Sequence, residues 1–490
     1  MRATPLQRPD GFAVKLTRIF ITCLGWIIGL SHANAAPITR TPSPPQHAYL
    51  LSQNPILSDC LLDGDLAVIL AKDSATSHVA MELWHLNNVP VTTENIPLSE
   101  WISLPLPSIV AHGGCLIVGN GSLLGPLNNH FSVWIKNVQT GNWEEHPLPK
   151  PPSGTYDVYD CDASLVVGTV SQELTHFSAA FWEKDSSNNY KGPFLINPKG
   201  YANSCATGVV GSSRIVGYAQ LLADNKQHAM LWQLASDNTT FWHCDLSLAI
   251  PVYLDITDSY AQAIDGNTVV GYGVDAQGNN HPLLWRVPSD ISSLSTPSTS
   301  CDELPLPPGW YGEAFQIAGN YVVGVGYSDP QNQSATQHAL LWHLDVDSGQ
   351  WQFTDLQQIQ PTPPNSSDSF TSSVAQGVND NGEVSGLVYT APSAGSPAKA
   401  YPVIWTATRL AFSDSSPSQN LPLMPLPNPL PWHFPLKPLP KPSSPWQSAI
   451  QLFRSLKPKL GRIVLGLVEI GIALGFFGAA LECLEKAKRK

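Results

Sequence analysis

Six histidines recur at fixed distances ahead of a tryptophan. His130, His228, His281 and His338 stand four residues before Trp134, Trp232, Trp285 and Trp342, while His78 and His176 stand six before Trp84 and Trp182. Imidazole is a good ligand for transition metals, so histidines converging on one point would form a metal ring. The recurrence argues against that. Equivalent positions of a circular array are spread around the ring, too far apart to share an ion, and a histidine opening a strand can instead bond the turn before it. No metal and no cofactor is expected here.

Other stretches with a chemical look reduce to turns. Asp345-Val346-Asp347-Ser348-Gly349 begins like a calcium loop but lacks the later acidic ligands and closing glutamate of an oxygen cage. Gly119-Asn120-Gly121 with Gly125 has no helical pattern after it to supply an anion-binding N-terminus. G-x-S-x-G, H-E-x-x-H and the P-loop do not occur. No catalytic residue is therefore named. Carboxylates distant in sequence can still meet in a central channel, and nothing in the sequence singles out a pair.

The elements that would carry these residues repeat. A β-branched pair and a glycine run into a polar turn, and an apolar strand then closes on tryptophan, most clearly from Val269 to Trp285. The same order places Gly119 before Trp134, Gly168 before Trp182, Gly217 before Trp232, Gly271 before Trp285, Gly324 before Trp342 and Gly386 before Trp405. A worn first copy runs from Ala67 to Trp84 and has Leu70 and Ala71 where the glycine is expected. Successive tryptophans lie about 50 to 60 residues apart, a period typical of propellers and related arrays. Asp63-Gly64-Asp65, Asp265-Gly266-Asn267 and Asp380-Asn381-Gly382 are hairpin turns, and two further polar turns per unit give four short strands.

Seven units of four antiparallel strands predict an all-β fold, a seven-bladed β-propeller. One four-stranded sheet cannot bury both faces alone, whereas radially packed blades bury them against each other. The Val-Val-Gly strand is expected near the axis, with glycine permitting close approach of blades. The tryptophans are expected between blades. His47-Ala48-Tyr49-Leu50-Leu51 echoes the later His-Ala-x-Leu-Trp strand and is expected to complete the last blade.

The units resemble the HAF-type extracellular repeat, on Ala261-Gln262-Ala263-Ile264-Asp265 through Gly271 to His281 and Trp285, and on Ala375-Gln376-Gly377-Val378-Asn379 through Gly386. Gln227-His228-Ala229-Met230-Leu231-Trp232 and Gln337-His338-Ala339-Leu340-Leu341-Trp342 match its second half, and the last unit has Tyr401 in place of histidine. The resemblance covers roughly Pro55 to Ala407. It implies an exported, propeller-like protein and no particular activity.

The two ends read as targeting segments. Arg2, Arg8, Lys15 and Arg18, the apolar run Ile19 to Leu30 and Ala33-Asn34-Ala35 make a secretory signal peptide over 1–35. Residues 36–46 form a flexible lead-in, 47–413 the propeller, and 414–447 a proline-rich stalk of extended polyproline character. Residues 448–490 form a membrane anchor, with Ile463 to Leu481 as a transmembrane helix and Lys486, Lys488, Arg489 and Lys490 as a cytoplasmic basic tail. Gly471 and Gly475, four apart, give a small-residue face that would allow homo-oligomers through the helix, although chance spacing is the stronger reading in a Gly-rich segment.

Export permits disulfides, and Cys244 and Cys301 open the similar stretches CDLSLAIP and CDELPLPP, which makes them the expected pair. Charged residues are 13 % and the net charge is −12, which excludes a surface built to grip nucleic acid. The expected function is a binding module at the cell envelope, periplasmic or cell-surface, facing an unknown protein or glycan. A channel-sited hydrolase or lyase acting on a glycan or peptide, and a purely structural surface protein, are the alternatives.

Overall fold

Glycines in the first hairpin turns set the local geometry. Gly64, Gly266 and Gly319 have φ between +51° and +56°, the left-handed region that glycine enters without strain. The computed structural model describes residues 45–410 except 53–58, 73–78, 98–107, 113–114, 121–129, 138–139, 163, 174–175, 236–239, 293–298, 331–332, 366–368, 393–397 and 408–409. The predicted leader, stalk and membrane helix, and His78, lie outside the described residues. Among the described residues no helix is long and apolar enough to cross a membrane.

The described chain begins with β1 (His47–Leu50). Blade 1 follows as β2 (Cys60–Asp63), β3 (Leu66–Lys72), β4 (Val79–His85) and β5 (Thr92–Pro97). Blade 2 is β6 (Ser108–His112), β7 (Cys115–Asn120), β8 (His130–Lys136) and β9 (Trp143–Pro147). Blade 3 is β10 (Thr155–Asp162), β11 (Leu165–Glu173), β12 (His176–Lys184) and β13 (Tyr190–Leu195). Blade 4 is β14 (Tyr201–Val210), β15 (Arg214–Leu221), β16 (Gln227–Leu234) and β17 (Phe241–Asp245). Blade 5 is β18 (Ile256–Asp265), β19 (Thr268–Asp275), β20 (Asn280–Arg286) and β21 (Ser300–Glu303). Blade 6 is β22 (Tyr311–Ala318), β23 (Tyr321–Tyr327), β24 (Gln337–Asp345) and β25 (Gln350–Asp355). Blade 7 joins β26 (Phe370–Val378), β27 (Val384–Thr390) and β28 (Ala400–Thr406) to β1 as its outermost strand.

These are seven four-stranded antiparallel sheets, a seven-bladed propeller. The ring closes through β1, whose His47 to Leu50 pair with Thr406 to Val403. The first strands of successive blades touch one another all the way round, β26 to β2 included, so the first strand is the innermost. The Val-Val-Gly strand is second from the axis, which corrects its expected place. The ladder explains why: the strand must pair on both sides, with the first strand inward and the Trp-closing strand outward.

The role of the glycine is corrected too. Measured from the residue opposite the tryptophan, Gly168, Gly217, Gly271, Gly324 and Gly386 occupy one equivalent position. A Cβ there would stand 1.9 to 2.0 Å from the backbone oxygen of Asp157, Cys205, Tyr260, Glu313 or Val374, on the first strand of the same blade. That first strand carries a β-bulge immediately afterwards in each of these five blades. Blades 1 and 2 have no register shift there, and Ile69 and Val118 hold the position. Gly119, one place further along, pairs with Ser108 and is not equivalent to the others. Glycine thus accommodates a bulge within its own blade.

Tryptophans fill the blade interfaces as expected. Seven apolar clusters each join neighbouring blades, and each contains one recurring indole: Trp84, Trp134, Trp182, Trp232, Trp285, Trp342 or Trp405. Trp182, Trp285, Trp342 and Trp405 also donate Nε1–H to a carbonyl just beyond the fourth strand of the preceding blade, at 2.9, 3.1, 2.7 and 2.9 Å. A side-chain hydroxyl adds a second bond between blades: Tyr156, Ser204, Ser259 and Ser373 accept from the N–H of Phe131, Ala179, Ala229 and Ala339. Between blades 5 and 6 the acceptor position is Gly312 and the donor position is Pro282, so donor and acceptor are lost together.

Cys244 and Cys301 are both free thiols, which corrects the expected disulfide. The similar stretches mislead by one residue. Asp245 and Glu303 lie at equivalent ladder positions, opposite Met230 and Leu283, so Cys244 matches Asp302 and the two thiols are not at like positions; both belong to the apolar cluster between blades 4 and 5, where they remain unbonded. Cys161 is disulfide-bonded, and none of the free thiols Cys60, Cys205, Cys244 and Cys301 is its partner.

Candidate functional site

The turn between second and third strands and the link from one blade to the next emerge on the same face of the ring. On that face in blades 4 to 6, a histidine opening the third strand meets an acid ending the fourth. His228 Nδ1 lies 2.7 Å from Asp245, His281 Nδ1 lies 2.7 Å from Glu303, and His338 Nδ1 lies 2.9 Å from Asp355. The preceding turn holds the other nitrogen in two of them, through Asp224 at 3.3 Å and Asp275 at 3.4 Å. Each ring also meets an aromatic edge: Tyr201 against His228, Tyr311 against His281 and Trp310 against His338.

Two of these histidines, His228 and His281, thus bond the turn before them, as the sequence reading expects, but the closest partners of all three are carboxylates that it did not identify. The available signal was an acid followed by leucine after each fourth strand: Asp245-Leu246, Glu303-Leu304 and Asp355-Leu356. The histidines do not converge, and among the described residues no cluster of three or more His, Cys, Asp or Glu side chains can hold a metal.

Blade 4 brings Ser247, His228 and Asp245 together, and its geometry is that of a cap. Ser247 Oγ lies 2.8 Å from His228 Nδ1, the nitrogen that also faces Asp245, and it donates to Asp245 at 2.5 Å. A nucleophile relay needs serine on one ring nitrogen and the acid on the other. Asp245 also accepts from Ser247 N–H and Tyr201 Oη, so the carboxylate is saturated. Asp355 likewise caps the turn after β25 through Gln357 N–H.

These pairs set the pH response. Burial opposes the charged ring of His228, but Asp245 and Asp224 outweigh it and raise its pKa. Glu303 leads the rise at His281, against burial and with Asp275. On the inner strand β22, burial pushes the Glu313 carboxyl up to about 7, with Asn280 opposing. Raised histidines stabilise the fold fully below about 6.5 and lose that contribution as pH rises through their folded pKa. The raised Glu313 has the same sign, its contribution being complete below about 4.5 and lost by about 7. Asp245, Asp275 and Asp355 are buried at a cost, yet their histidine, hydroxyl and amide partners lower them, and their contribution is lost in strong acid. The melting temperature should therefore peak near pH 4 to 5 and fall toward pH 8, and Glu313→Gln should make that fall shallower; thermal melts across pH check both.

The same face exposes apolar side chains. The link between blades 4 and 5 leaves Leu248, Val252 and Tyr253 at 83 %, 94 % and 79 % exposure, and Leu222 on the neighbouring turn of blade 4 is at 66 %. Two longer turns, Tyr327 to Gln337 and Tyr389 to Ala400, open on this face and are described only in part.

No protein-family model matches the chain, and no curated protein matches it. Among solved structures it is similar to the β-propeller domain of the trilobed protease from Pyrococcus furiosus, at 12 % identity and TM-score 0.39 over 74 % of this chain and 93 % of that one. It is also similar to Pyrococcus horikoshii acylaminoacyl peptidase, at 12 % identity and TM-score 0.43, over 76 % of this chain and 53 % of that one. The polysaccharide lyase Uly1 matches at 9 % identity and TM-score 0.33, over 75 % and 100 %. The chain spans about half of the acylaminoacyl peptidase, and the likeness in all three is one of fold.

Proposed function

We propose that the chain is an exported, membrane-tethered propeller that serves as a binding module at the cell envelope. The observation that carries this reading is the bare link of blades 4 and 5, where Leu248, Val252 and Tyr253 face water beside polar groups already bonded to one another. Exposed apolar side chains gathered on one face of a rigid scaffold are suited to docking. The resemblance to HAF-type repeats supports an exported protein. The basic leader, the proline-rich segment and the apolar stretch near the C-terminus support a tether that holds the propeller outside the membrane.

The test is capture of envelope proteins and glycans by the full-length chain against Val252→Asp and Tyr253→Asp, with matched melting curves. A loss of capture of about tenfold or more is expected, as for aromatic anchors at interfaces. Unchanged capture would remove this face from the reading. A channel-sited hydrolase is the second reading, favoured by Glu313, whose carboxyl near 7 suits a general acid. It requires turnover of a glycan or peptide that Glu313→Gln abolishes.

A further inference from the structure

His228 and His281 each stand between two carboxylates, one at either ring nitrogen. Asp245 is 2.7 Å from His228 Nδ1 and Asp224 is 3.3 Å from its Nε2, while Glu303 is 2.7 Å from His281 Nδ1 and Asp275 is 3.4 Å from its Nε2. A neutral imidazole carries a single N–H, so both acids are bonded only when the ring is protonated. In blade 4 the two acids belong to different loops: Asp224 lies in the turn between β15 and β16, and Asp245 caps the link to blade 5 through Ser247. We infer that His228 is a pH-operated latch, which ties this turn to the link when protonated and releases the turn when it loses its proton.

Three observations put the latch at His228 and its moving part at the turn. The first is how firmly each acid is otherwise held. Asp245 also accepts from Ser247 N–H, Ser247 Oγ–H and Tyr201 Oη, so it stays in place and keeps the one proton of a neutral ring on Nδ1. Among the described residues Asp224 accepts one other bond, from Lys226 N–H within its own turn, and a neutral Nε2 presents only its lone pair to that carboxylate. The second is the contrast with the neighbouring blades. Asp275 also accepts from Gln277 N–H, Asn279 N–H and Asn279 Nδ2, which brace the blade 5 turn whatever the charge on His281. Among the described residues His338 of blade 6 meets one acid, Asp355, and bridges nothing. The third is the surrounding charge. Tyr201 meets the His228 ring edge-on, His243 of β17 meets Tyr201, Asp258 of β18 accepts from Gln227 N–H, and Lys226 is exposed. Burial opposes the charge on both rings; at His228 Asp245 and Asp224 outweigh it and raise the pKa, while at His243 burial prevails over Asp245 and lowers it. His228 is therefore the ring that charges first as pH falls. The latch is closed below about 6.5 and opens as pH rises through the folded pKa of His228. The turn carries Leu222 and the link carries Leu248, both exposed, so the latch sets whether these two parts of the proposed docking face are held together. That consequence rests on the docking reading; the latch itself does not.

Hydrogen exchange of the full-length chain at about pH 5.5 and about pH 8.5, corrected for intrinsic rates, tests the latch with no partner present. The reporters are the N–H groups of Leu222 and Asn225, which donate to Gly200 O and Leu221 O. Their protection should fall about two- to fivefold at the higher pH, the range of a part-exposed ion pair. Gly278 N–H, which donates to Asp275 O in the braced blade 5 turn, should keep its protection. Asp224→Asn keeps an acceptor for Lys226 N–H and removes the charge, and His228→Gln removes the titrating ring, so both should abolish the pH dependence. The His228 ring should also titrate at a lower pH in Asp224→Asn, followed by NMR of its C–H signals. Melting curves verify folding, and Asp224→Asn on the exposed turn serves if His228→Gln does not fold. The inference is overturned if the parent turn is equally protected at both pH values, if the pH dependence survives Asp224→Asn, or if Gly278 loses protection as Leu222 and Asn225 do. Such a result leaves the docking proposal standing, and failed capture leaves the latch standing.

Discussion

Gly271→Val is expected to abolish cooperative folding or lower the melting temperature more than any surface substitution. A Cβ at Gly271 would meet Tyr260 O at 2.0 Å and Ala261 Cα at 3.0 Å, and both are backbone atoms that no rotamer change can move. Relief requires shifting the bulge between Ala261 and Ala263, which sits on the innermost strand against the next blade. Overpacking a core typically costs about 1–3 kcal/mol, and a clash with backbone belongs at or above the top of that range. Even Gly271→Ala should be strongly destabilising. Ile69 occupies the equivalent place in blade 1, where the first strand runs without a register shift. Thermal melts followed by near-ultraviolet circular dichroism check this, and a valine variant as stable as the parent would refute the glycine–bulge relation.

Trp285→Ala should destabilise the propeller by about 3–5 kcal/mol, the usual cost of removing a buried large aromatic. Trp285 is fully buried between blades 4 and 5, packed with Val216, Leu231, Leu254 and Ala261, so its loss leaves a cavity that rigid sheets cannot collapse. Its Nε1–H also holds Leu246 O at 3.1 Å, at the start of the exposed link. Trp285→Phe should keep much of the packing and lose that bond, costing less. Denaturant titration separates the two variants, and an alanine midpoint within error of the parent would contradict the wedge role.

The blade count and the wedges could be read from the chain because each depends on local, repeated chemistry. Hairpin turns with Asn, Asp and Gly need φ > 0, and the indole recurs at the same place in every unit. The glycine's position was equally visible, but its cause was not, since the clash at Gly168 or Gly324 is with a bulge that only the paired first strand reveals. Gly119 shows the limit of counting: it precedes Trp134 like the others, yet the ladder sets it one place off. The like stretches around Cys244 and Cys301 are offset by one residue in the same way, and the two thiols, although both lie in the cluster between blades 4 and 5, are not bonded. The histidines were seen and their acids were not. His338 and Asp355 are 17 residues apart and become neighbours only when β24 and β25 pair. The exposed link of blades 4 and 5 was hidden by its composition, since an apolar run such as Leu246 to Leu254 reads as core until its neighbours are known.

The central claim is that a strand from the start of the described chain closes the ring. Hydrogen exchange of the full-length protein, read on peptides covering His47 to Leu51 and Ala400 to Thr406, tests it most directly. Both segments should show the same strong protection, because Tyr49 pairs with Ile404 and Leu51 N–H donates to Pro402 O. Rapid exchange of His47 to Leu51 while Ala400 to Thr406 stays protected would mean the ring is not closed by that strand.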